Sequence, residues 1–150
     1  MNLLVPPPVV LALLAAAMWG IERWLEVGRI AFAGQAWLAL ALLAAGIGLM
    51  AAAAASMFAA HTTINPLTPS RASRLVTGGA FRYSRNPIYL GDLLILAALA
   101  VWLGQLANFA LLPAFVAYLG RFQILPEERA LDARFGAEYA AYRARVRRWI

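Results

Sequence analysis

Within ten residues, Arg82-Tyr83-Ser84-Arg85-Asn86-Pro87-Ile88-Tyr89-Leu90-Gly91 sets two guanidiniums, an amide and two phenols directly before an apolar run. Guanidiniums grip carboxylates in forked contacts, and phenols offer both a hydrogen bond and an aromatic wall. A second polar cluster follows another apolar run: Glu127-Glu128-Arg129, then Phe135-Gly136-Ala137-Glu138-Tyr139 and Tyr142-Arg143. Carboxylates of this second cluster can hold an ammonium or a ribose diol, and the two clusters together suggest a site. Asn86-Pro87 keeps the chain extended or turned ahead of the apolar run, which aims Arg85 and Asn86 at a fixed place.

The elements that must position these groups are membrane helices. A chain of 150 residues that is 63% hydrophobic and 13% charged has more apolar surface than one small soluble core hides. The basic surplus is all arginine and falls at membrane edges, so it is no nucleic-acid signature and no nucleic-acid partner is expected. Without cysteine there are no disulfides, thiolate sites or cysteine nucleophiles. His61 has no second histidine to share a metal, so no metal site is expected. Met1 to Pro8 carries no basic n-region, and the first apolar run reads as a retained span.

Counted against the roughly 20 residues a crossing helix needs, four spans emerge: Val5 to Ile21, Trp37 to Ala60, Ile88 to Leu103 and Leu106 to Phe122. Pro6, Pro7 and Pro8 open the first, with Trp19 and Trp24 at an interface. Gly34, Gly46 and Gly48 permit close packing around the second. Gly104-Gln105 implies a tight hairpin between the last two, and Pro113 predicts a kink that frees a carbonyl near Phe109. The chain then leaves the membrane at Arg121. Pro126 opens a terminal amphipathic helix carrying Leu131, Phe135, Tyr139 and Tyr142 on one face. The expected fold is thus all-α, one integral membrane domain over 1–150. Two N-terminal spans fill 1–60; a ligand-binding loop, hairpin and C-terminal amphipathic helix fill 61–150.

Arg71, Arg74, Arg82 and Arg85 crowd one loop, and Arg121, Arg129, Arg134, Arg143, Arg145, Arg147 and Arg148 crowd the tail. The positive-inside rule puts both in the cytoplasm, with both termini inside, in what reads as a bacterial inner membrane. Asp92 is the exception among nearly charge-free spans: a carboxylate there is costly unless paired or wet, and its bland reading is a favourable place near a helix N-terminus. Glu127 and Glu128 have the same bland reading at the start of their helix, and Glu138 and Arg134 pair at helical spacing. Gly78-Gly79 follows no strand, so the soluble dinucleotide and methyl-donor fingerprints are absent.

Two blocks in order resemble the isoprenylcysteine carboxyl methyltransferase and phospholipid methyltransferase family of integral membrane enzymes. Leu75 to Gly91 resembles its arginine, His/Asn, proline, x, tyrosine block before a hairpin. Glu127-Glu128-Arg129-Ala130-Leu131, continuing to Phe135-Gly136 and Tyr139 to Tyr142, resembles its paired-glutamate block. The resemblance covers residues 62 to 149. It implies S-adenosyl-L-methionine as cofactor and methyl transfer to a lipophilic or small acceptor, a carboxylate or an amine, entering from the bilayer. Carried over by position, it implies that Arg82, Tyr83, Arg85, Asn86, Pro87, Tyr89, Glu127, Glu128, Tyr139 and Tyr142 bind the cofactor, with Glu128 and Arg143 catalytic. Asn86 stands where prenylcysteine-specific members usually have histidine, which argues against prenylcysteine itself.

Two alternatives remain from the sequence. A nicotinamide-dependent membrane reductase of the steroid reductase type shares the Arg85 to Tyr89 pattern, but usually has glutamate at the Asp92 position and lacks the Glu127-Glu128 context. A non-enzymatic membrane scaffold requires no convergence of the two blocks. The oligomeric state is not legible.

Overall fold

The computed structural model describes residues 5–60 and 74–150. His61 and Arg71 lie outside the described residues. Every described element is helical, and the extended chain pairs only at an isolated bridge between Arg29 and Gln105.

Helix α1 spans Pro7–Trp24, and Pro7 stands in its first turn, where a missing amide donor costs nothing. The amides of Val9 and Val10 both donate to the Pro6 carbonyl. Helix α2 spans Gln35–Ala59 and opens at Gly34, whose φ of 85° is left-handed. Helix α3 spans Pro87–Leu103 and lies along α2. The two backbones approach closely at one glycine pair: a Cβ on Gly46 would sit 2.8 Å from the Gly91 carbonyl oxygen. Gly34 and Gly48, expected to pack in the same way, have nothing within 4 Å of an added Cβ. Gly34 instead supplies a turn.

After α3 the chain reverses at Gly104 (φ 63°), whose amide closes back on Ala100 and Val101. The loop after α1 is stitched to this turn. Ile30 N donates to Gly104 O at 2.7 Å and Leu106 N to Gly28 O at 2.9 Å. Gln105 Nε2 donates to Leu25 O at 2.8 Å and Asn108 Nδ2 to Met18 O at 3.3 Å. Trp24, Trp37 and Trp102 are exposed around this end, as in an interfacial aromatic belt.

The return run departs from the sequence expectation. The chain does not end one helix at Phe122 and open another at Pro126; Leu106–Phe135 is one continuous helix. It begins as a 3₁₀ turn (Leu106–Ala110), becomes α4 (Leu111–Leu119), widens into a π turn (Gly120–Ile124) and continues as α5 (Leu125–Phe135). Each proline follows a local change of pitch. The 3₁₀ turn precedes Pro113, and the π turn directly before Pro126 gives room for a ring without an N–H, so the helix continues. The expected single terminal helix is also two, because Gly136 (φ 47°, ψ −116°) separates α5 from α6 (Ala137–Arg145). Among the described residues, α2 and Leu106–Phe135 are long and apolar enough to cross a membrane. Helix α3 is apolar but has 17 residues, and α1 carries Glu22 and Arg23 near its end. Met18, Leu96, Phe115, Leu119 and Ile124 form the core between α1, α3 and the long helix, with Tyr89 at its polar edge.

Candidate functional site

At the end of the bundle opposite the Gly104 turn, the two polar blocks meet. A 3₁₀ turn (Gly79–Arg82) leads into α3, and a Cβ on Gly79 would run into Ser56 of α2, so this segment is held tightly against the bundle. Asn86 is non-helical, as a residue before proline must be, and Pro87 begins α3. Ser84 Oγ accepts from Asn86 N at 3.1 Å, a local turn that fixes the direction of Arg85 and Asn86.

Glu128 is the hub. It is 7% exposed and faces two guanidiniums. Arg148 grips it as a fork, Nε to Oε1 at 3.0 Å and Nη2 to Oε2 at 2.7 Å. Arg85 Nη1 lies 3.0 Å from Oε1. That contact is an ion pair by distance without hydrogen-bond alignment, and both Nε and Nη1 of Arg85 are buried with no hydrogen-bond partner. A buried guanidinium with spare donors is costly to leave so and well suited to an anion.

Glu127, one residue earlier, takes its donors from a separate pair of uncharged side chains. Tyr89 OH donates to Glu127 Oε1 at 2.6 Å, and Gln123 Nε2 donates to the same oxygen. Gln123 lies within the π turn, one helical turn before Glu127, so the widened helix also serves to present it.

The C-terminal tail closes the arrangement. Arg85 N donates to Arg147 O at 3.0 Å, and Asn86 Nδ2 donates to Arg148 O at 2.9 Å. Helix α6, turned back by Gly136, buries Tyr139 and Tyr142. Tyr142 OH donates to Phe81 O at 2.7 Å, pinning α6 to the turn before α3. Burial holds both phenols above their ordinary range; the Glu128 charge adds to this for Tyr139, while Arg85 opposes it for both. The hydrogen bond to Glu128 raises Arg148 above the usual guanidinium value.

Of the sequence candidates, Arg85, Asn86, Pro87, Tyr89, Glu127, Glu128, Tyr139 and Tyr142 come together here. Arg82 and Tyr83 do not; both are exposed, Tyr83 at 77%. Arg143 is exposed too. Its guanidinium lies over the outer side of the cluster, 5.8 Å from the Tyr139 ring centre, and 4.0 Å from Asp132. Arg148, Gln123 and Ser84 are the residues that sequence reasoning passed over. Gln123 was detectable, because it stands four residues before Glu127 on a helix. Arg148 gave no local signal within its run of arginines.

Compared with known families, residues 34–138 match the model described as phospholipid methyltransferase. The match covers α2, the site turn, α3 and the long helix, and it stops before Tyr139, Tyr142 and Arg148. Neither the curated proteins nor the solved structures provide a significant match.

Proposed function

The chain belongs to the phospholipid methyltransferase family, and from that premise we propose that it is a membrane methyltransferase using S-adenosyl-L-methionine to methylate a lipophilic acceptor. One observation carries this reading: two blocks far apart in sequence converge on Glu128, and Arg85, ion-paired to it through Nη1, keeps a buried Nε without a hydrogen-bond partner. That guanidinium fits the carboxylate of an amino-acid ligand, and the Glu127-Glu128 pair fits its ammonium or a ribose diol.

When bound, S-adenosyl-L-methionine supplies a methyl group already activated on a sulfonium. Little acid or base chemistry is then required of the protein, whose task is alignment and exclusion of water. Arg85 and Asn86 hold the ligand at the mouth of α3, where Pro87 fixes their direction. Glu128, held between two guanidiniums, favours the positive centre as it approaches the acceptor. Tyr139 and Tyr142 give an aromatic wall, and the tail from Val146 onward covers the site from the aqueous side. In this reading α1 and α3 cross the membrane beside the two long helices, and the site lies at the cytoplasmic end with both chain termini. The excess of arginine at that end supports this placement.

The test is transfer itself. Purified protein in detergent with mixed lipid extract, supplied with methyl-tritiated S-adenosyl-L-methionine, is expected to move label into the organic phase. Glu128→Gln should reduce this to background. Label that stays in the aqueous phase across a range of lipid extracts contradicts the reading.

A further inference from the structure

Arg82 and Tyr83, exposed and apart from the site, stand on a surface of their own. Tyr142 OH reaches Phe81 O, which sets the last turn of α6 beside Arg82. Arg85 N reaches Arg147 O, which brings the tail alongside the same segment. Arg82, Arg145 and Arg147, all exposed, thus crowd one corner. Among the described residues none of them forms an ion pair, and Arg145 Nε donates to Ala141 O within its own helix. Of the exposed acids on α5 and α6, Asp132 faces Arg143. Glu138 lies seven residues before Arg145, ~10 Å along the helix. Like charges gathered in this way repel one another, and an external anion relieves the repulsion.

The same corner carries apolar surface. Tyr83 and Ile150 are exposed there, while Trp149 packs onto the bundle core. Cations interleaved with exposed apolar groups, beside the first turn of an apolar helix, fit the headgroup layer of a bilayer better than a soluble anion. We propose that this corner docks on anionic lipid headgroups, and that docking holds the C-terminal tail closed over the site. The second half rests on the methyltransferase reading. The tail whose Arg147 side chain faces outward also gives its carbonyls to Arg85 N and Asn86 Nδ2, and Arg148 to Glu128. A headgroup held by Arg147 therefore opposes the movement that would withdraw Arg148 from Glu128. By linkage, anionic lipid raises affinity for the methyl-donor ligand, and the ligand raises affinity for the lipid by the same factor.

The test compares two bilayers. The full chain is placed in nanodiscs of phosphatidylcholine alone, or of an equal mixture with phosphatidylglycerol. Trypsin cleavage after Arg145 and Arg147 is followed by mass spectrometry, with cleavage after the exposed Arg29 at the opposite end as the reference. S-adenosylhomocysteine affinity is measured calorimetrically in the same discs. Phosphatidylglycerol is expected to slow tail cleavage relative to the reference by about tenfold, and to tighten S-adenosylhomocysteine by about fivefold or more. Arg82→Glu, which leaves both tail cleavage sites intact, should lose most of the protection and the lipid-dependent tightening, yet bind the ligand as wild type does in phosphatidylcholine. Arg82→Lys should keep both effects. Equal tail cleavage in the two bilayers, or undiminished protection in Arg82→Glu, overturns the inference. Equal protection by inorganic phosphate in phosphatidylcholine discs also overturns it, because the surface would then read a soluble anion. Weaker ligand binding by Arg82→Glu in both bilayers alike overturns it too, since Arg82 would then belong to the ligand site. Protection without a change in a measurable ligand affinity removes the coupling. Absence of S-adenosylhomocysteine binding in either bilayer, with protection intact, instead strikes the methyl-donor reading.

Discussion

The two ends of the helical bundle both bury polar side chains, and they do so in opposite ways. At the Gly104 turn, Gln35, Gln105 and Asn108 are neutral amides whose N–H groups are spent on backbone carbonyls of Val101, Leu25 and Met18. The unpartnered atoms left there are amide oxygens. At the other end, charged side chains answer one another around Glu128, and the unpartnered atoms are guanidinium donors of Arg85. The first arrangement ties loop to turn and suits a fixed structure. The second leaves charged capacity for a ligand, and that contrast separates a brace from a binding site more sharply than burial alone.

The contrast can be broken most strongly at its hub. Glu128→Gln removes the carboxylate from two guanidiniums, where breaking a buried ion pair costs about 3–5 kcal/mol. Affinity for S-adenosylhomocysteine is expected to fall by about a hundredfold or more, together with a lower melting temperature. Arg148→Ala comes next. It leaves Arg85 on Glu128 and should weaken S-adenosylhomocysteine by about tenfold, with Arg148→Lys intermediate because an ammonium cannot reproduce the fork. An unchanged affinity for Arg148→Ala by calorimetry would reduce the tail to a brace like that at the opposite end. Tyr89→Phe removes one of two donors to Glu127 and should cost about threefold to tenfold. Asn108→Ala sharpens the comparison from the other side: melting should drop by about 3–6 °C while ligand affinity changes by less than about twofold. A large loss of affinity there would show that the two ends are not separable.

Much of this was legible in the sequence, for reasons that explain what was not. The second and third helices fall close to the apolar runs Trp37 to Ala60 and Ile88 to Leu103, because glycine and proline punctuate those runs. The return helix continues through Pro126, where the sequence reads as opening a separate terminal helix, because a π turn absorbs the proline and a sequence carries no mark of that widening. Gly136 likewise broke an amphipathic pattern that looked continuous across Leu131, Phe135, Tyr139 and Tyr142. In the site, Arg85, Glu127 and Glu128 were marked by block composition. Arg148 was hidden: it sits in an extended tail with no periodicity, 20 residues from the carboxylate it grips. Arg143 drew attention by its place beside Tyr142, yet the helix turns it outward.

The central claim is that Arg85 and Glu128 act together on one methyl-donor ligand, and a double-mutant cycle on binding tests it most directly. S-adenosylhomocysteine is titrated calorimetrically into wild type, Arg85→Ala, Glu128→Gln and the double variant, each shown to be folded by circular dichroism. Tight binding by wild type and a loss in the double variant no larger than that of the worse single variant are expected. Losses that simply add, or singles that bind as wild type does, would contradict it.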